Sequence, residues 1–220
     1  MTKIVAGVDD SGRGSVIGPL VIAGVAMRED RLHFLKELGV RDCKLLSPAK
    51  RKALAVKLRT LLTRYEVIEV SPSEIDKVVR RGEKLRKLNY LEAKIMARII
   101  EKIKPSIAYV DASDVLADRF GEEVRSMVPF DVQVISKHKA DRDYPIVAAA
   151  SILAKVRRDE VVAELREKYG DFGSGYATDP KVKAFLINWF KRYKEFPDFV
   201  RETWRTAKMA RRSLEVKGKT

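Results

Sequence analysis

Two apolar stretches of this chain end in acid. Ile4-Val5-Ala6-Gly7-Val8 runs into Asp9 and Asp10, and Ile107-Ala108-Tyr109-Val110 runs into Asp111. A further acid, Asp141, stands in Lys139-Ala140-Asp141, just ahead of an apolar run. Strand ends are where α/β proteins gather their sites. Several hard oxygen donors without a Cys/His cluster suit magnesium or manganese rather than zinc, and therefore phosphate chemistry. Phosphodiester cleavage needs an activated water and neutralised phosphoryl oxygens, which two ions about 4 Å apart supply together. Crowded carboxylates also repel, so metal is expected to raise the melting temperature. A single Asp after a strand is more often a turn residue or a helix cap, and that reading stays open for each taken alone. Asp143, two residues before Pro145, is assigned to an N-cap. His33 and His138, the only histidines, are assigned no catalytic role.

Gly12-Arg13-Gly14 follows the paired acids. Glycines there let backbone approach a ligand without a Cβ in the way. A tight hairpin turn explains the same residues, and both readings stand at this point.

The elements that position these residues follow from periodicity. Lys3 to Val8 and Val16 to Met27 read as a β-hairpin, with a third strand at Tyr65 to Val70. A short helix is expected at Leu32 to Leu38. Ser47-Pro48 gives an N-cap and a proline in the first turn of a basic helix through about Thr63. Leu85, Leu88, Leu91, Ile95, Ile99 and Ile103 form one helical stripe from Glu83 to Lys104. Strands at Ser106 to Val110 and Val132 to Ser136 flank a helix at Val115 to Val128. A long helix from Pro145 ends at Tyr169, before Gly170. Strands in succession, then strands alternating with helices, predict a mixed sheet flanked by helices.

The 220 residues suffice for one medium domain with an appendage, and the single Cys43 forms no internal bridge. Neither a signal segment nor a long apolar span is evident, so a soluble, cytoplasmic setting without membrane contact is expected. The net charge of +14 favours polyanions such as nucleic acid. From Lys181 onward, twelve Lys and Arg face four Asp and Glu. The basic helices expected at Lys181 to Lys194 and Arg201 to Arg212 either grip phosphates or are simply solvated faces.

Taken in order, Asp9-Asp10-Ser11-Gly12-Arg13-Gly14, Val16 to Val21, Asp42 to Ser47, Tyr109-Val110-Asp111, Lys139-Ala140-Asp141 and Pro145 to Lys155 resemble the ribonuclease HII family, of the archaeal type. Gly173-Ser174-Gly175-Tyr176 follows at the expected distance, and the resemblance covers most of Lys3 to Pro180. It implies a ribonuclease H-like α/β fold with a five-stranded mixed sheet: a catalytic domain over 1–177 and a basic C-terminal helical extension over 178–220. It implies an endonuclease that cuts the RNA strand of RNA–DNA hybrids and cuts 5′ to single ribonucleotides in duplex DNA, leaving 3′-hydroxyl and 5′-phosphate ends, in replication and repair. The family's metal-binding acids fall on Asp9, Asp10, Asp111 and Asp141, holding Mg2+ or Mn2+. Gly12, Arg13 and Gly14 fall on its sensor of the ribose 2′-hydroxyl, Tyr176 on its junction-reading tyrosine, and Lys44 on a lysine that holds a backbone phosphate.

Departures are visible. Asp10-Ser11 stands where the family usually has Glu-Ala, which makes the second ligand one methylene shorter and implies a water-mediated contact or a preference for manganese. Ser15 replaces a common proline, and Cys43-Lys44-Leu45 replaces Ser-Lys-Lys. No clear clamp-binding motif stands at the terminus, nothing demands more than a monomer, and a clamp partner is left open. Another nuclease of the same fold would share the acids but lack Gly12-Arg13-Gly14 with Tyr176. A non-catalytic nucleic-acid-binding module would keep its function in chelator.

Overall fold

Strand β1 (Ile4–Ser11) carries two of the acids and sits in the middle of a mixed sheet. This computed structural model describes residues 2–40, 46–81 and 86–215. β1 pairs antiparallel with β2 (Leu20–Arg28), from Ile4 opposite Arg28 to Ser11 opposite Val21. On its other side it pairs parallel with β4 (Ile107–Asp111), which pairs parallel with β5 (Gln133–Lys137). With β3 (Arg64–Val70) beyond β2, the order among the described residues is β3-β2-β1-β4-β5.

By contacts, the chain divides into two compact units. One draws on Met1–Ser11, Val21–Ile68 and Leu85–Arg157, the other on Gly12–Leu20, Glu69–Lys84 and Arg158–Thr220. Residues 12–20 and 69–84 thus group with the C-terminal segment.

In the first unit the period of two gives each face of β1 its own helix. Val5, Gly7 and Asp9 share a face with their partners Met27, Val25 and Ala23. That face packs on the start of α7 (Pro145–Tyr169), where every residue from Ile146 to Ala154 is buried. A helix apolar all round belongs in a core. Its approach is close: a Cβ on Gly7 would lie 2.4 Å from the carbonyl carbon of Ile146. α2 (Pro48–Leu61), capped by Ser47 as expected, adds Ala55 and Leu58 to the same core. The opposite face meets α4 (Arg86–Ile103), whose Ile99 would lie 2.2 Å from a Cβ on Gly24. α5 (Ala117–Ser126) packs on β5, and α1 (His33–Glu37) follows a short 3-10 turn at Glu29–Arg31.

The second unit holds α3 (Pro72–Arg80), α8 (Pro180–Tyr193) and α9 (Arg205–Glu215). Its core joins Val16 and Ile17 to Val162, Phe172, Leu186 and Phe199, among others.

Several expectations need correction. Residues 12–19 are not a tight hairpin turn. They leave the sheet, and Val16 and Ile17 enter the second unit's core instead of β2. The deepest face of α4 runs through Asn89, Glu92, Met96 and Ile99, while Leu88, Leu91 and Ile95 are half-buried. α3 was not anticipated, although Ser71 and Glu74 form a full capping box at its start. Asp143 ends α6 (Ala140–Asp143), and Tyr144 is the residue that precedes α7 and receives the amide of Val147, so Asp143 is not the cap of α7. α9 begins at Arg205 rather than Arg201.

Candidate active site

The acids all belong to the first unit. Asp9 and Asp111 each stand one residue beyond the paired Val8 and Val110, at the ends of neighbouring parallel strands. Asp9 is only 5% exposed. Burial pushes its carboxyl well above the ordinary range, and the charges of Asp10 and Asp111 push it further. A hydrogen bond with Ser151 of α7 and the amide of Asp10, which donates to Asp9 Oδ1 at 2.7 Å, act in the opposite sense without prevailing. The strand's alternation sends Asp10 to the other face, yet its charge still reaches Asp9.

Asp111 connects this group to α6. Its Oδ1 accepts the amide of Ala140 at 2.7 Å, one residue before the buried Asp141. The preceding Lys139 adopts a left-handed conformation, φ 57°, which is costly for a residue with a Cβ. Strained backbone held beside carboxylates is a feature of functional sites. The donor set fits a hard divalent cation: oxygen only, several negative charges, and one carboxyl disfavoured as an anion until positive charge arrives. Among the described residues no three His, Cys, Asp or Glu side chains close into a cage by themselves.

The other residues singled out from the sequence meet in the second unit. Ser15 and Tyr176 form an antiparallel bridge, and the amides of Val16 and Ile17 both donate to the carbonyl of Gly175. The turn at Gly12, Arg13 and Gly14 is thereby joined to Tyr176. Gly12 has φ +90°, and a Cβ there would lie 2.6 Å from the carbonyl oxygen of Pro19, so the fold itself requires glycine. Gly14 is different. It is exposed, has no left-handed backbone, and a Cβ there would meet nothing within 4 Å. Lys44 lies outside the described residues.

Four buried residues at these two places escaped the sequence reading. Ser151 supports Asp9. Arg158, 2% exposed, donates to the carbonyl of Ser174 at 2.6 Å and lies over the Tyr176 ring at 4.5 Å. Arg201 is fully buried, and Asp76 receives the amides of Glu202 and Thr203. No local spacing marks them, because their partners are distant in sequence.

A mixed sheet with carboxylates at the ends of adjacent parallel strands is the frame of a ribonuclease H-like phosphodiesterase. The family model described as ribonuclease HII matches residues 6–207. The ribonuclease HII of Methanosarcina barkeri is 43% identical, over 98% of this chain and 98% of its own. The ribonuclease H2 of Pyrococcus horikoshii superposes with a TM-score of 0.89 at 42% identity, covering 96% of this chain and 99% of that one. A ribonuclease HII from Archaeoglobus fulgidus, solved as a complex with PCNA, superposes with a TM-score of 0.84 at 42% identity over 94% and 96% of the two chains. The chain belongs to the ribonuclease HII family and is a ribonuclease H, a metal-dependent endonuclease.

Proposed function

We propose that this enzyme cuts the RNA strand of hybrids and cuts 5′ to single ribonucleotides in duplex DNA. In this reading Asp9, Asp10, Asp111 and Asp141 hold Mg2+ or Mn2+, and Gly12, Arg13, Gly14 and Tyr176 receive the substrate. The observation that carries it is the placement of Asp9 and Asp111 at the ends of neighbouring parallel strands, with Asp141 one residue past the Ala140 amide that Asp111 accepts. Crowded carboxylates repel one another, and bound cations relieve that repulsion. Bound divalent ions would supply an activated water and neutralise charge on the scissile phosphate.

The protein's own part is positioning. Ser151 fixes Asp9, and the Ala140 amide fixes Asp111 and with it the start of α6. Gly14 supports the substrate role of the turn: glycine costs roughly 0.5–1 kcal/mol in conformational entropy relative to alanine, and nothing within the fold requires it there. A nucleic-acid sugar brought against the backbone does. The Tyr176 ring, held beneath Arg158, offers a flat apolar face for the sugar beside the cut. Lys44 is assigned a backbone phosphate. The shorter Asp10 is assigned a water-mediated contact or a preference for manganese, and unchanged metal dependence in Asp10→Glu would remove that assignment.

Exposed Lys183, Lys191, Arg192, Lys208 and Arg212 provide the sequence-independent grip on phosphates, which weakens steeply with salt. Among the described residues no helix is long and apolar enough to cross a membrane. By extension from the Archaeoglobus complex, a sliding clamp is a partner of this enzyme, which acts as a monomer in the cytoplasm.

The test is a labelled DNA duplex with one ribonucleotide, incubated with magnesium or manganese beside an all-DNA duplex and an Asp111→Asn protein. Cutting 5′ to the ribonucleotide, absent from both controls, is the expected result. Cutting of long hybrids alone would remove the junction role of the turn and Tyr176. Binding that persists in chelator, with no cutting under either metal, would identify a binding module.

A further inference from the structure

Arg201 belongs by sequence to the basic tail expected to grip phosphates, but its guanidinium has no exposure and faces the protein. Nη1 donates to the carbonyl of Arg13 at 2.8 Å and Nη2 to that of Gly12 at 2.7 Å. Nε and Nη2 both donate to the carbonyl of Gly18, at 3.2 and 3.1 Å. Its own amide donates to the carbonyl of Val16 at 2.8 Å. One side chain thus gathers both ends of the 12–18 excursion across more than 180 residues of sequence.

In a planar trans peptide the carbonyl and the following N–H point opposite ways. Turning the Gly12 and Arg13 carbonyls toward the guanidinium therefore turns the amides of Arg13 and Gly14 away from it. We infer that Arg201 is a positioning residue for ribonucleotide recognition: it fixes the carbonyls of Gly12 and Arg13 inward, so that the amide and the bare Cα of Gly14 present themselves to the ribose. This rests on the reading of the turn as the sensor of the 2′-hydroxyl. The rigid planar fork suits the task; lysine, a point charge with three rotating donors, cannot hold three carbonyls in the same geometry.

The hold on Arg201 is itself secured. Asp76 of α3, 4% exposed, accepts the amides of Glu202 at 2.7 Å and Thr203 at 3.2 Å, together with the Thr203 hydroxyl. The guanidinium also lies over the Trp204 ring at 5.0 Å.

The experiment compares binding of a single-ribonucleotide duplex and an all-DNA duplex in chelator, well below each protein's melting temperature. Arg201→Lys is expected to fold, to keep the rise in melting temperature on adding magnesium, and to bind all-DNA duplex as before. Its preference for the ribonucleotide should fall roughly tenfold, the equivalent of about one lost oriented hydrogen bond. An unchanged preference, or an equal loss for both duplexes, overturns the inference. Should Arg201→Lys not fold, Asp76→Asn loosens the same segment from outside. A preference lowered by roughly threefold there, a fraction of one such bond, supports the positioning role, and an unchanged one removes it. A wild-type protein with no preference overturns instead the sensor reading beneath it.

Discussion

The acid cluster and the Gly12–Gly14 turn are held by opposite electrostatic arrangements. Around Asp9, burial and like charge outweigh the hydrogen bonds from Ser151 and Asp10, so the carboxylate form is left poorly satisfied. Around the turn, the carbonyls of Gly12, Arg13 and Gly18 all receive a buried guanidinium. On the proposed roles, the first region gains from added cations. In the second, the carbonyls are met by a donor of the protein itself. With those proposed roles, chemistry and choice of substrate are separable, and substitutions should divide them.

The largest effect is expected at Asp111. Asp111→Asn keeps an oxygen for the Ala140 amide but removes a charge, so cleavage should fall about a thousandfold or more. Thermal melting without metal should be no lower than wild type, and the rise on adding magnesium should shrink. A lower melting temperature without metal would mean that Asp111 is mainly a structural anchor.

Next come the two glycines. Gly12→Ala should cost ~2–3 kcal/mol, since it combines a left-handed backbone with a clash against Pro19. Gly14→Ala should leave stability unchanged or raise it by ~0.5 kcal/mol, while cleavage at a single ribonucleotide drops. Urea melts and steady-state kinetics on both proteins read the contrast. Equal effects from both substitutions would erase the distinction between a glycine the fold needs and one the substrate needs.

Smaller effects appear in the pH dependence of stability, where two acids act with opposite sign. The Leu116 amide, the Asn89 side chain and Arg119 hold the Asp114 carboxyl at a pKa of about 2. Its stabilisation is present above the unfolded value near ~4 and is lost as pH falls toward ~2. Asp114→Asn should remove that part of the acid transition. The raised Asp9 carboxyl instead penalises folding once pH exceeds its unfolded value. Asp9→Asn should therefore raise the metal-free melting temperature at pH 7, with the gain vanishing toward pH ~4. No difference between the two proteins at pH 7 would show that the cluster is already relieved without metal.

The legible parts of the molecule were those with a local signature. β1 and β4 are visible as apolar runs ending in acid, β5 as a short apolar run, and α2 as a proline after a serine cap. The long helix from Pro145 was read to its last residue, Tyr169. The turn misled, because Val16 and Ile17 look like strand residues whichever core receives them. Arg201 misled in the same way: a basic tail looks like a phosphate grip, and only the fold reveals that one of its charges faces backbone carbonyls. Ile99 and Ile103 of the expected stripe of α4 are buried, but Asn89 and Glu92 lie deeper than Leu88, Leu91 and Ile95, and Asn89 reaches Asp114 from another segment. In each case the deciding partner lay far off in sequence, where periodicity carries no information.

The separation of chemistry from choice is tested most directly with the Asp111→Asn protein in chelator, by comparing its affinity for a single-ribonucleotide duplex with that for the all-DNA duplex. An inactive protein whose preference equals that of the wild type under the same conditions is expected. A preference that vanishes with the Asp111 charge would contradict that separation, and would mean that the acids and the turn recognise the ribonucleotide as one device.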